Sequence, residues 1–341
     1  MLKPRLYRLA GIFVSVFFVY LAVRNANLAE SLQVLKTVQP VFLGAAVITY
    51  LAAYPVRALR WRLILQTHKT LSFGKILGPI FVGYMANALL PARAGEIYRA
   101  HLLGRRARIS RSLVLGSIVV ERTFDGLMLV GLMLLLLVLL PETHFLGPVT
   151  LTTGLVFLTL AAGILFYSFT VNRTHRMIDK ILEIFPLKFE EFIARKLKSF
   201  LQGLQGVSAV GVGLKAIVYT ILIWALEISA VALVVISFGV YLPLSGYLLV
   251  YALAALSTAL PSGPAYIGPF QYAFVLSLGF FAISQETALA ISVITQLVLL
   301  TPVTLIGLAL LWREQLGTML LLNQEKVEPK KGKVRHGGRA A

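Results

Sequence analysis

Charged residues stand in this chain where charge is expensive. Glu121, Arg122 and Asp125 interrupt an apolar run from Ser112 to Leu140. Ionisable side chains at membrane depth are rare, usually paired and commonly functional. On a helix Glu121 and Asp125 are four apart and share a face, and Arg122 precedes Asp125 by three, within pairing reach. A run of this length extends for about 43 Å, more than the hydrocarbon core of a bilayer, so the cluster falls toward one interface. It either meets a polar substrate or neutralises itself and locks helices together. The residues allow both.

Three further groups could take part. Arg57, Arg60 and Arg62 flank Trp61 at the end of an apolar segment. An interfacial Trp with snorkelling Arg is a common membrane anchor, which accounts for Arg62. Arg57 lies a turn deeper than Arg60 on the same face and is the better contact for a lipid headgroup. Arg93, Glu96 and Arg99 surround Gly95. A guanidinium grips phosphate oxygens in a bidentate fork, so Arg93 and Arg99 suit a phosphodiester. Glu96 suits a partner arginine or a cationic headgroup, and basic topology residues with a local salt bridge are the plain alternative. Glu227 is a further acid within an apolar stretch, with Arg122, Lys215 or a coupling ion as candidate partners.

These groups must be positioned by the elements around them. Two apolar segments, 76–103 and 246–282, each run to Leu-Pro and then turn within a few residues. The first break holds Pro91 and Gly95, the second Pro261, Gly263 and Gly268. The second offers no charge between Leu260 and Gln271, only Tyr266, Gln271 and bare backbone. Broken helices are tolerated in a membrane only where protein or water covers the freed backbone groups. Paired breaks in the two halves of a chain point to a transporter's binding site. Ordinary interhelical loops are the alternative, since Pro and Gly punctuate those too.

The 341 residues are 58% hydrophobic and 13% charged, with mean hydropathy +0.84. That composition describes a polytopic membrane protein. Six segments are long enough to span: 6–23, 40–60, 112–140, 147–169, 213–238 and 286–312. With the two broken segments as re-entrant hairpins, the expected fold is all-α: about six full transmembrane helices, two hairpins and an inverted repeat. Eight spans are the alternative. The N-terminal segment reads as an uncleaved anchor. Of 32 Lys and Arg, 28 fall in 1–8, 57–75, 91–111, 172–206 and 313–341. Basic residues collect on the cytoplasmic side, so both termini are expected there. Residues 1–322 form the transmembrane domain. Within it 172–206 is a connector whose Phe189, Phe192, Ile193, Leu197, Phe200, Leu201 and Leu204 recur at helical spacing, as in an amphipathic surface helix, with Glu191 and Arg195 on another face. Residues 323–341 read as a disordered basic tail.

The net charge of +18 is then a topology signal and not a nucleic-acid footprint. The absence of Cys removes disulfides, thiolate metal sites and Cys nucleophiles. The five His are scattered, so no metal site and no cofactor are expected.

The stretch Asn87-x-x-Leu90-Pro91-x-Arg93-x-Gly95-Glu96-x-x-Arg99, with Glu121-Arg122-x-x-Asp125, Arg57-x-x-Arg60-Trp61 and Leu260-Pro261-Ser262-Gly263-Pro264-x-Tyr266-Ile267-Gly268-x-Phe270-Gln271, resembles the lysylphosphatidylglycerol synthase transmembrane-region family, the flippase-like domain proteins. Relatives often have Pro-Gly where this chain has Gly263-Pro264. The resemblance covers about residues 6–315. It implies lipid translocation in the cytoplasmic membrane of a bacterium, with membrane lipids as partners and a separate lipid-modifying enzyme as a possible one. No soluble synthase domain is legible after residue 312, so the synthase activity is not expected here. The substrate-binding set is then Arg57, Arg60, Arg93, Glu96, Arg99, Glu121, Arg122, Asp125, Tyr266 and Gln271. The alternative is a membrane-embedded glycosyl- or phosphoryl-transferase acting on a polyprenyl- or phospholipid, with Glu96, Glu121 and Asp125 as its carboxylates.

Overall fold

A computed structural model describes residues 2–90, 94–182, 187–207 and 209–327. Among these residues the protein is all-helical: α1 (Leu2–Val23), α2 (Leu28–Val34), α3 (Pro40–Leu65), α4 (Phe73–Leu89), α5 (Gly95–Ala107), α6 (Arg111–Leu139), α7 (Gly147–Leu182), α8 (Leu187–Leu204), α9 (Val210–Ser237), α10 (Leu244–Ser257), α11 (Pro269–Gly279) and α12 (Gln285–Val327). Five stretches are long and apolar enough to cross a membrane: Pro40–Leu65, Arg111–Leu139, Pro141–Lys180, Val210–Ser237 and Gln285–Arg313. Gly11–Val23, Phe73–Leu89 and Leu244–Ser257 are shorter apolar helices. The sixth expected span, 6–23, therefore corresponds to α1, whose described apolar part is short. α12 continues through Val327, past the domain boundary expected at 322. Residues 328–341, most of the expected tail, lie outside the described residues.

α3 and α9 make the most extensive helix pair among the described residues. The two run antiparallel, and the Gln39 N–H at the head of α3 donates to the Ser237 carbonyl at the foot of α9 (2.9 Å). One apolar core gathers residues of α6, α9, α10, α11 and α12, including Leu132, Trp224, Leu249 and Phe274. A second gathers α3, α4, α5 and α6 around Trp61, Ile80, Leu103 and Ile118. Many large apolar side chains on α1, α7, α9 and α12 face outward, as a lipid-facing surface requires.

Both broken segments fall where the sequence places them. α4 stops at Leu89, and Leu90 turns extended, as a residue before proline prefers. α5 then folds back against α4. The close approach depends on Gly95: a Cβ there would stand 2.0 Å from the Gly83 carbonyl oxygen. Asn87 closes the gap by accepting the Gly95 N–H on its side-chain oxygen (2.8 Å). Pro91 and Arg93 lie outside the described residues.

The second break turns at Gly268, as expected, but not at Gly263. Gly263 has φ −65°, an ordinary value. The left-handed residues are Ala265 (φ 58°), Tyr266 (φ 61°) and Gly268 (φ 99°). Two L-residues held there imply that the surroundings impose the turn. Those surroundings are visible. Ser15 of α1 accepts the Gly263 N–H (2.8 Å), and a Cβ at Gly268 would strike the Ser15 carbonyl at 2.4 Å. Gln296 of α12 donates to the Ala265 carbonyl and accepts from Gln271 (2.6 Å), whose own oxygen accepts the Gly268 N–H (2.8 Å). Side chains from α1, α11 and α12 thus satisfy freed backbone groups that lipid would leave bare.

The connector is only half a surface helix. Phe200, Leu201 and Leu204 of α8 pack against Val120, Ile164 and Tyr167, while Phe192, Ile193 and Leu197 remain exposed. Gly116 and Gly203 meet backbone to backbone, which brings α8 directly onto α6. The side chains of Phe189 and Glu191 lie outside those described.

Candidate functional site

Four helices bring four arginines and four carboxylates into one chain of alternating sign. α3 supplies Arg57 and Arg60, α5 supplies Glu96 and Arg99, α6 supplies Glu121, Arg122 and Asp125, and α9 supplies Glu227. The i,i+3 spacings of Arg57 with Arg60 and of Glu96 with Arg99 aim each pair from one helix face. Starting at the deepest point, Arg99 meets Glu121 (2.6 Å), and Glu121 faces Arg60 (3.6 Å). Arg60 grips Asp125 through both oxygens (2.6 and 3.2 Å). Asp125 also pairs with Arg122 (3.1 Å) and stands 4.0 Å from Arg57. Arg122 reaches Glu96 (3.9 Å), and Arg57 pairs with Glu227.

This arrangement revises several sequence expectations. Trp61 is not an interfacial anchor. It is fully buried, donates to Ser117 Oγ (3.0 Å), and carries the Arg99 guanidinium over its ring at 3.5 Å. Arg60 is fully buried as well, with Thr220 as a further acceptor (2.8 Å). Arg62 is exposed, in keeping with an anchor. Glu227 meets neither Arg122 nor Lys215. Its two oxygens take Arg57 and the Tyr251 hydroxyl (2.5 Å).

Above the cluster opens a cavity of about 580 Å³. Its walls come from α3, α4, α5, α6, α7, α9, α10, α11, α12 and both breaks: Asn87 and Ala88 beside the first, and Thr258, Ala259, Ala265 and Tyr266 of the second. Of the expected substrate-binding residues, Arg57, Glu96, Arg122, Asp125 and Tyr266 line it. Arg60, Arg99 and Glu121 sit behind as buried support, and Gln271 touches it through Gln296. Burial of a charge is tolerable only with partners, so this rear tier fixes the front one.

The aromatic lining was not foreseen. Tyr50, Tyr54, Tyr84, Trp224 and Tyr251 face the cavity. Tyr54 donates to Tyr50 (3.2 Å), Tyr84 accepts from Arg122 (3.2 Å), and Arg57 lies 5.0 Å from the centre of the Tyr84 ring. The spacing of Tyr50, Tyr54 and Arg57 at i, i+4 and i+7 was the available signal for a shared face. Among the described residues no three His, Cys, Asp or Glu are grouped as metal ligands.

The model of the lysylphosphatidylglycerol synthase transmembrane region matches residues 8–307 of this chain. The chain belongs to that family. It is an integral membrane protein, and its relatives include membrane proteins of archaea. Glycosyltransferase AglD of Haloferax volcanii is 26% identical over 94% of this chain and 56% of its own length. The chain thus spans a little over half of that relative. A UPF0104 membrane protein of Methanocaldococcus jannaschii is 24% identical over 65% of this chain and 90% of the relative. Another, from Methanothermobacter thermautotrophicus, is 25% identical over 81% and 86%. These relatives lend no support to a bacterial origin or to a particular side for either terminus. No solved structure matches the chain.

Proposed function

We propose that this family member moves a lipid with an anionic, phosphate-bearing headgroup across its membrane. The observation that carries this reading is the single cavity lined by both broken segments, with Arg57 and Arg122 among apolar and tyrosine walls. A headgroup needs charge-paired hydrogen bonds and cover from hydrocarbon, and this cavity offers both. Tyrosine and tryptophan faces also suit a sugar or a cationic group on the far side of the phosphate. The two breaks act as gates to the same cavity, one toward each face, in the manner of re-entrant hairpins in an inverted repeat. The basic loops face the cytoplasm, as do both termini.

A membrane-embedded transferase is the second reading, favoured by the printed name of AglD. Less than two thirds of AglD is matched, so its activity need not reside in the shared part. Each of the four carboxylates here is engaged by an arginine, an arrangement better suited to holding a charge than to abstracting a proton. Purified protein in liposomes distinguishes the two. Headgroup-labelled phosphatidylglycerol is expected to cross faster than in empty vesicles with its mass unchanged. A new labelled product would establish the transferase, and passage no faster than in empty vesicles would remove the transport reading for this lipid.

A further inference from the structure

We propose that Glu227 is a proton site that gives up Arg57 to the headgroup phosphate, so that one proton enters with each anionic lipid. This rests on the translocation reading above.

Glu227 lies ten residues before the end of α9, about 15 Å of helix. That is near the middle of a span, far from either interface. Among the described residues the ionic chain around it is balanced, four guanidinium groups against four carboxylates. An incoming phosphodiester adds one negative charge in a place where unbalanced charge is strongly disfavoured. A cation must follow, and a carboxylate that loses its counterion satisfies the need by taking a proton.

The geometry singles out which carboxylate. Glu121 is sealed between Arg99 and Arg60. Asp125 holds Arg60 and Arg122 besides its longer contact with Arg57. Glu96 is part-exposed beside Arg122, which Asp125 and Tyr84 already share. Among the described residues Glu227 is the buried carboxylate with one arginine partner, and that arginine faces the cavity. Arg57 is also the less committed of the two cavity-facing arginines. Both have a buried Nε without a hydrogen-bond partner, but apart from Glu227 Arg57 has only a 4.0 Å contact with Asp125 and the Tyr84 ring among the described residues, whereas Arg122 is shared by Asp125, Glu96 and the Tyr84 hydroxyl. The titratable and charged groups around this pair are Tyr50 and Tyr54 from α3, Tyr84 from α4, Asp125 from α6 and Tyr251 from α10. No second cation pairs with Glu227 among the described residues.

The exchange is simple. Arg57 turns from the Glu227 carboxylate to the phosphate, and a proton released by the buffer in the bulk solution moves onto Glu227. The Tyr251 hydroxyl keeps its hydrogen bond. Release on the far side returns the proton there. By linkage, a proton taken up with each lipid makes headgroup affinity rise as pH falls, by up to about tenfold per pH unit.

The test uses the full chain in detergent and dihexanoyl phosphatidylglycerol, whose phosphodiester does not titrate near neutrality. Calorimetry in two buffers of different protonation enthalpy counts the protons taken up. About one proton per lipid is expected, with Kd tightening as pH falls from about 8 to 6. Glu227→Gln is expected to bind with neither proton uptake nor pH dependence. Wild-type binding without proton uptake would overturn the coupling and leave the headgroup site standing. Uptake that persists in Glu227→Gln would overturn the assignment to this residue. Absence of binding would remove the cavity reading and the coupling together. The wild-type proton count needs no variant, so poor folding of Glu227→Gln leaves the proposal open to refutation.

Discussion

Arg60→Ala will lower the stability of this protein by about 3–5 kcal/mol, the usual result of removing one partner from a buried ion pair. Arg60 is fully buried and serves Asp125, Glu121 and Thr220 at once. Alanine leaves Glu121 with Arg99 alone, transfers Asp125 to Arg122, and opens a space the length of an arginine beside Trp61. Lysine restores the charge but not the fork that holds both Asp125 oxygens, so Arg60→Lys is expected to recover only part of the loss. Heating the solubilised protein and following the fraction that stays monodisperse measures the effect. Arg62→Ala, two residues on and therefore on the opposite, exposed side of α3, is the control. A loss for Arg60→Ala no greater than for Arg62→Ala would mean that the rear tier of the cluster does not hold the helices.

Arg122→Ala will have the opposite profile, little change in folding and a loss of transport on the order of a hundredfold, equivalent to about 3 kcal/mol. Arg122 faces the cavity and is part-exposed, with 30% of its side chain accessible. Its removal leaves Asp125 with Arg60, and Glu96 close enough to solvent to tolerate the change. What it takes away is, among the described residues, one of two cavity-lining guanidiniums that can grip phosphate. Initial rates of labelled-lipid movement in liposomes, at matched protein content, read the effect. A normal rate in Arg122→Ala would reduce this residue to part of the structural lattice.

The contrast between these two arginines marks how far the sequence could be read. The local features were legible. The helices follow from long apolar runs, the breaks from Leu-Pro and glycine, and the pairing of Arg122 with Asp125 from their spacing. The family followed from the same motifs. Features set by distant packing were not legible. Arg57 and Glu227 are 170 residues apart in sequence, and only the antiparallel packing of α3 on α9 unites them. Trp61 reads as interfacial beside three arginines, yet the fold-back of α5 at Gly95 lays Arg99 over it and buries both. The second turn reads as a glycine turn at Gly263 and Gly268, and of these Gly268 takes the left-handed φ. Contacts from Ser15 and Gln296 also hold Ala265 and Tyr266 in the left-handed region. Tyr50 and Tyr54 share the face of Arg57 by their spacing, whereas Tyr84 and Tyr251, aromatic residues in apolar helices, carry no local mark of facing a cavity.

The most direct test of the headgroup path is to fill the cavity from the side of each break. The chain has no native cysteine, so Ala88→Cys and Ala259→Cys each provide one thiol on the lining. A bulky methanethiosulfonate reagent is attached in liposomes, and labelled-lipid movement is measured before attachment, after it, and after reduction. With the path through this cavity, attachment at either position stops lipid movement and reduction restores it. Unchanged movement with both positions fully modified would show that lipid travels elsewhere.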